Sequence, residues 1–306
     1  MELRSKVQKF IKVSNELIVG KPRQIQLATT CLLADGHLLL EDIPGVGKTT
    51  LVKVFAHLLG LDWKRLQFTN DILPSDILGT VVFNKQHNKF SFHEGPIFTQ
   101  LLIADELNRA TPKTQSACLQ AMAERSVSID GKQHNLPSPF FVVATQNPRD
   151  NYGTFPLPES QVDRFLMRIS LGFPNKDSET KILEGHNPIA LLKEQKTILN
   201  GEELLAAQAA INAVHCKQEV INYLLEIVHY TREHHKGLST RASQGFLKAA
   251  KAWAWLQNRD FVIPEDIKEV GHSIMNHRLL SEDPPDGERM KDFLDEIYSG
   301  IDVVAS

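Results

Sequence analysis

Lys48, Thr49 and Thr50 follow directly on Gly45-Val46-Gly47, a spacing of residue types that can do phosphate chemistry. The apolar run Leu38-Leu39-Leu40 leads into Glu41-Asp42-Ile43-Pro44, then the glycines, then a helical pattern. A strand, a glycine turn and a helix start aim successive backbone N–H groups and the positive end of a helix at one point, where an anion is stabilised. Lys48 then reaches toward the β- and γ-phosphates of a nucleoside triphosphate, and the Thr49 hydroxyl ligates Mg²⁺. Asp42, Pro44, Gly45, Val46, Gly47, Lys48, Thr49 and Thr50 are the candidate binding residues. The general pattern places glycine where this chain has Asp42, which puts the loop geometry in question. A tight strand-to-helix turn alone would explain Gly45 and Gly47, but not the Lys-Thr-Thr that follows.

Four further groups supply parts of a phosphoryl-transfer site. Leu101-Leu102-Ile103-Ala104 ends in Asp105-Glu106. Two acids at the end of an apolar strand are costly to bury unless a cation or water meets them. Asp105 is the candidate Mg²⁺ ligand with Thr49, and Glu106 the candidate that orients the attacking water. Asn147 ends the run Ala144-Thr145-Gln146 and offers an amide to the γ-phosphate or that water; an Asx turn before Pro148 is its plain alternative. Arg164, in Asp163-Arg164-Phe165, is a candidate for stabilising transition-state charge on a neighbouring subunit's γ-phosphate. Arg241 stands in the first turn of a predicted helix, against the helix dipole, a broken rule of the kind that often marks a functional position; by itself a solvated arginine is the plainer reading. Lys48, Asp105, Glu106, Asn147, Arg164 and Arg241 are the candidate catalytic residues.

The elements that must hold these groups alternate. Strands are predicted at 38–41, 66–69, 99–105, 140–145 and 167–171, with helices at 50–59 and 111–125 and a short helix starting at Pro158. Residues 80–83 and 89–92 read as one β-hairpin, and 127–129 with the segment after Lys132 as a second, turning at Asp130-Gly131. Two helices precede the first strand, at 2–19 and 23–34. After Phe173-Pro174 the strand patterns stop, and helices are predicted at 202–213, 218–234, 240–256, 264–275 and 288–298. The fold class is α/β, a parallel sheet flanked by helices, followed by an all-helical unit; the domains are drawn at 1–185 and 186–306.

Composition narrows the function classes. The chain has 306 residues, 42% of them hydrophobic and 23% charged, enough for a packed core. Its 34 basic and 37 acidic residues leave a net charge of −3, which argues against a constitutive grip on nucleic acid. Three scattered cysteines, Cys31, Cys118 and Cys216, read as reduced thiols of an intracellular protein. The N-terminus is too polar for a signal peptide and no apolar run approaches a membrane span, so a cytoplasmic location is expected.

In this order the segments resemble the AAA+ ATPases, and among them the MoxR family, over nearly the full length. The carrying segments are residues 39–49, Gly95-Pro96-Ile97-Phe98, Asp105 to Ala110 with Lys113-Thr114-Gln115-Ser116, Ala144 to Pro148, Asp163 to Arg168, and Ser239-Thr240-Arg241-Ala242-Ser243. The resemblance implies Walker A at Lys48 and Thr49, Walker B at Asp105 and Glu106, sensor 1 at Asn147, an arginine finger at Arg164 and sensor 2 at Arg241, with Arg109 and Arg168 as alternative trans-acting arginines. It implies an AAA+ P-loop core with two inserted β-hairpins and a C-terminal helical lid, ATP and Mg²⁺ as ligands, and a homo-hexameric ring. It further implies chaperone-like remodelling or cofactor insertion in a partner complex, often with a von Willebrand factor A domain protein. A DNA-directed motor and a low-turnover nucleotide switch are the competing readings. Lys132 and His134 are the only basic residues of the second hairpin, thin for tracking phosphates, and an intact Glu106 speaks for turnover.

Overall fold

The computed structural model describes residues 2–85, 88–147, 153–280 and 287–301. Two helices come first, α1 (Glu2–Leu17) and α2 (Pro22–Leu33), then β1 (Leu38–Glu41), α3 (Lys48–Leu58), β2 (Trp63–Gln67) and α4 (Pro74–Leu78). The hairpin β3 (Gly79–Asn84) and β4 (Lys89–Glu94) precedes β5 (Leu101–Asp105), and a 3₁₀ turn at Leu107–Arg109 leads into α5 (Pro112–Glu124). The second hairpin, β6 (Ser126–Ile129) and β7 (Lys132–Asn135), is followed by β8 (Phe141–Gln146), α6 (Glu159–Val162) and β9 (Met167–Ile169). The rest is helical: α7 (Lys176–Leu183), α8 (Pro188–Leu192), α9 (Gly201–Asn212), α10 (Gln218–His234), α11 (Thr240–Leu256), α12 (Pro264–Leu279) and α13 (Glu288–Gly300).

Five strands form one parallel sheet in the order β2-β5-β8-β1-β9. The continuous apolar runs follow from helices on both faces. Leu38, Leu40, Leu101, Ile103, Phe141 and Val143 join the cluster under α1, α2 and α3. Leu39, Leu102, Ala104, Val142 and Ala144 join the cluster on the opposite face, with Cys118, Leu119 and Met122 of α5. The chain leaves β1 for the far edge at β2, while β9 lies on the other side of β1. Strand order therefore reverses beside β1, and the crevice at the carboxyl end of such a reversal is where open α/β sheets bind ligands.

The two predicted hairpins are present, and Phe92 of the first stacks against His134 of the second at 4.1 Å between ring centroids. Four elements differ from the sequence reading, the first being the five-residue helix α4, which was not predicted. β2 lies at 63–67, not 66–69, because it is an edge strand whose Lys64, Arg65 and Gln67 face solvent and leave no apolar alternation to read. Helices α7 and α8 were not predicted. Both are short and are set by asparagine caps: Asn175 Oδ1 accepts from Ser178 N–H, and Asn187 Oδ1 accepts from the N–H groups of Ile189 and Ala190. The apolar cluster beneath the sheet continues into α9–α13, through Leu204, Ile211, Phe246, Trp253 and Ile274. Among the described residues, no helix is long and apolar enough to cross a membrane.

Candidate active site

The turn after β1 needs its glycines for backbone conformation. Gly45 and Gly47 have φ of +88° and +97°, and a Cβ at either would meet nothing within 4 Å, so conformation and not crowding selects glycine. Gly47 is the N-cap of α3, and Lys48, Thr49 and Thr50 form its first turn. No side chain caps this helix, so its first N–H groups are available to a ligand.

Pro44, Gly45, Gly47, Lys48, Thr49 and Thr50 line one side of a cleft of about 390 Å³, and Asp105, Glu106 and Asn147 line the other, with Arg65 and Gln67 from β2. Parallel pairing explains the convergence. Leu40 is in register with Thr145 and Gln67 with Asp105, so the tips of β1, β8, β5 and β2 end together. Lys48 Nζ donates to the Asp42 carbonyl at 2.6 Å. Burial lowers the Lys48 pKa from its ordinary value, against Asp42, Asp105, Glu106 and Glu41, which raise it. Pro148 lies outside the described residues.

The acid pair is held by a residue that the sequence reading did not single out. Thr145 Oγ donates to Asp105 Oδ1 at 2.6 Å and accepts from Glu106 N–H at 2.9 Å. One hydroxyl thus fixes both acids, and Glu106 adopts a left-handed backbone conformation at φ +56°. The Glu106 carboxylate accepts from Gln67 Nε2 at 2.9 Å and from Arg109 Nη1 at 3.0 Å. Asp105 Oδ2 accepts from Arg65 Nε at 3.0 Å and Nη2 at 2.6 Å. The following turn is pinned by the buried Gln115, whose amide donates to the carbonyls of Ala110 and Phe155. The only sequence signals for Thr145 and Gln115 were their positions inside recurring segments.

Two expectations are corrected. The Asp42 carboxylate does not line the cleft. It accepts from Ser170 Oγ and from the N–H groups of Leu171 and Gly172, closing the turn after β9, and only its carbonyl meets Lys48. That structural role explains an acid where the general pattern has glycine. Arg168 does not face a neighbouring subunit: it is 1% exposed, ion-paired with Glu41 at 3.2 Å and bonded to Asn276 of α12. Arg109, the other alternative, pairs with Glu106 of its own chain at 3.0 Å and stays half-exposed.

Arg164 and Arg241 share a cavity that does not include the phosphate loop. Both line a second cavity of about 310 Å³, with Asp35, Arg125, Asp163, Lys248 and Arg278 among its other walls. Asp35 pairs with Arg125 and Lys248, and Asp163 with Arg278, so the local acids are already committed. Arg164 Nη1 donates to the Leu119 carbonyl at 2.7 Å, but its Nε is buried with no partner. Burial first, and Arg241 second, lower the Arg164 pKa. In this lining the basic residues Arg125, Arg164, Arg241, Lys248 and Arg278 outnumber the acids Asp35 and Asp163.

A third cavity, of about 200 Å³, adjoins the phosphate loop through Gly45, Gly47 and Thr50. Its walls include Ile18, Val19, Val46, Ile182 and Pro188, an apolar lining that suits the flat face of a base. No local motif marked Ile18, Val19, Ile182 and Pro188, because they come from segments far apart in the chain; Val46 belongs to the phosphate loop itself. Thr49 and Asp105 offer hydroxyl and carboxylate oxygens, the hard donors that Mg²⁺ takes together with phosphate oxygens and water, so the donor set fits that ion. Among the described residues no group of three or more His, Cys, Asp or Glu forms a protein-only metal site.

A parallel sheet with this strand order, and a phosphate-loop cleft faced by an acid pair at its carboxyl rim, define a P-loop ATPase. The sequence profile of the ATPase family associated with various cellular activities (AAA) matches residues 37–167, and that of the AAA lid domain matches residues 233–297. Chaperone MoxR1 of Mycobacterium tuberculosis is 40% identical over 280 residues, covering 86% of this chain and 73% of its own. The uncharacterized protein YeaC of Bacillus subtilis is 40% identical over 310 residues, covering 99% and 96%. A crystal structure of a candidate ATPase from Cytophaga hutchinsonii superposes with a TM-score of 0.86 at 35% identity, covering 98% of this chain and 95% of that one. The chain belongs to the MoxR family of AAA+ ATPases, and its activity is ATP hydrolysis.

Proposed function

We propose that this chain hydrolyses Mg²⁺–ATP at the subunit interfaces of a cytoplasmic homo-hexameric ring, and that turnover drives chaperone-like remodelling or cofactor insertion in a partner complex. The observation that carries the reading is the division of labour between two cavities. One holds the phosphate loop with Asp105, Glu106 and Asn147, and the other holds Arg164 and Arg241 with spare positive charge. A cation pair remote from its own chain's phosphates is useful when a second copy brings its triphosphate there.

In the reaction, the 44–50 loop and Lys48 hold the phosphates. Thr49 and Asp105 are the residues that would hold Mg²⁺, and the charge it would supply there would offset that of the phosphates. Glu106 orients the attacking water and takes its proton as the new P–O bond forms and the bond to the leaving ADP breaks. Asn147 hydrogen-bonds the γ-phosphate. The neighbour's Arg164 stabilises the transferring phosphoryl group. We assign Arg241 to the same trans-acting surface, because it shares a cavity with Arg164. The base lies against Ile18, Val19, Ile182 and Pro188. We keep 1–185 as the nucleotide-binding core and 186–306 as the lid.

The client is a protein, in line with the name of the mycobacterial relative. A partner with a von Willebrand factor A domain is the expected adaptor. Stacking of His134 on Phe92 leaves Lys132 as the one free-standing basic residue of the second hairpin, which weakens the DNA-motor alternative. The test is Glu106→Gln. This variant should bind ATP, lose hydrolysis by roughly 100-fold or more, and co-purify with its client in ATP. Unchanged hydrolysis would remove Glu106 from the mechanism, and recovery of DNA alone would overturn the remodelling reading.

A further inference from the structure

Arg65 and Gln67 line the cleft without a part in the mechanism, and of the two only Arg65 carries a charge. It stands on the edge strand β2, two residues before the tip, and reaches across to the carboxylate at the end of β5. Asp105 Oδ2 takes two N–H groups of this one guanidinium, at 3.0 Å and 2.6 Å, while Oδ1 takes the Thr145 hydroxyl. Both oxygens of the proposed metal-facing carboxylate are therefore committed. A further bond to Gln67 Oε1 at 3.0 Å holds the guanidinium's outer edge. The Arg65 side chain is 48% exposed and lines the same cleft as Lys48 and Thr49, so it can leave Asp105 without unpacking the core.

We propose that Arg65 is a built-in competitor of Mg²⁺ for Asp105, a positioning residue that keeps the carboxylate neutralised and aligned and gives it up as the metal arrives. This inference rests on the nucleotide site proposed above. A guanidinium and a dication repel each other at one carboxylate oxygen, so the two hold it in alternation. With Arg65 in place, the phosphates of a metal-free nucleotide face a neutralised Asp105. Without Arg65 they face a bare negative charge. Removing Arg65 therefore acts in opposite directions with and without metal: it relieves competition when Mg²⁺ is present and exposes repulsion when it is absent.

The experiment measures binding of N-methylanthraniloyl-ADP to the full chain by fluorescence anisotropy, in saturating Mg²⁺ and in EDTA, for the wild type, Arg65→Gln and Arg65→Lys. Arg65→Gln should tighten binding in Mg²⁺ and weaken it in EDTA, each by roughly two- to fivefold, the scale of a half-exposed ion pair. Arg65→Lys keeps the charge but loses the two-pronged hold, and should shift the ratio in the same direction by less. In an Asp105→Asn background, Arg65→Gln should lose its effect on the ratio. Parallel weakening in both conditions would make Arg65 a plain phosphate ligand and overturn the proposal. An unchanged ratio in both variants would overturn it as well. Wild-type protein that binds the probe in neither condition would instead overturn the nucleotide site itself.

Discussion

Thr145 carries more of the candidate site than its small side chain suggests. Its hydroxyl is donor to Asp105 and acceptor from Glu106 N–H, so one atom sets the relative position of the proposed metal ligand and the proposed base. Thr145→Val keeps the shape and deletes both bonds. It should cost about 1–3 kcal/mol of stability for the orphaned buried partners, and it should lower kcat by tenfold or more with less change in KM. Steady-state ATPase kinetics beside urea unfolding separate the two effects; an unchanged kcat would show that the acids are positioned by other contacts. Lys48, Thr49, Asp105 and Glu106 were legible in the sequence because phosphate chemistry demands those residue types at those spacings. Thr145 was not, since a threonine at a strand end has many uses and its two partners lie about 40 positions away. Arg168 and Arg109 show the same limit from the other side, because a charge in a motif does not disclose its partner.

Among the elements, α12 is tied to the nucleotide-binding strands by a buried polar path. Arg168 of β9 pairs with Glu41 at the end of β1 and bonds Asn276 of α12, and Asn276 Nδ2 donates back to the Arg168 carbonyl at 3.1 Å. Burial pushes the Glu41 pKa up and Arg168 pulls it back, the balance expected of a paired interior charge. Arg168→Met strands Glu41, and should destabilise the fold by roughly 3–5 kcal/mol. Glu41→Leu with Arg168→Met should recover most of that. Chemical denaturation of the two variants checks this; equal losses would mean that the pair is not the interaction at stake. The predicted helices at 218–234 and 240–256 match α10 and α11 residue for residue, because long amphipathic helices repeat their signal over several turns. The polar edge strand β2 and the cap-defined α7 and α8 lack that repetition, which is why pattern alone missed them.

For the whole molecule, the continuous cluster from α1 through the sheet to α13 makes stability a global property, and one buried histidine reports on it through pH. His37 Nδ1 accepts from Val142 N–H, its Nε2 faces the Met122 carbonyl, and burial lowers its pKa to about 4, with Arg125 acting in the same direction. The unfolded chain takes up this proton near pH 6.5 and the folded one only near 4. The stability it contributes is therefore complete above 6.5 and falls across that window, by roughly 3 kcal/mol in all. His277, also buried and lowered, adds in the same sense. Urea midpoints between pH 7.5 and 4.5 should show the decline, and His37→Asn should flatten it; equal slopes would deny the histidine its part. Assembly is the larger question at this scale, because the phosphate cleft and the Arg164–Arg241 cavity are separate within one chain. The most direct measurement mixes Lys48→Ala subunits, which keep the arginines, with Arg164→Ala/Arg241→Ala subunits, which keep the phosphate loop. Each should be inactive alone, and the mixture should regain ATP hydrolysis wherever an intact loop meets a neighbour's intact arginines. A mixture no faster than the sum of its parts would contradict catalysis shared between subunits.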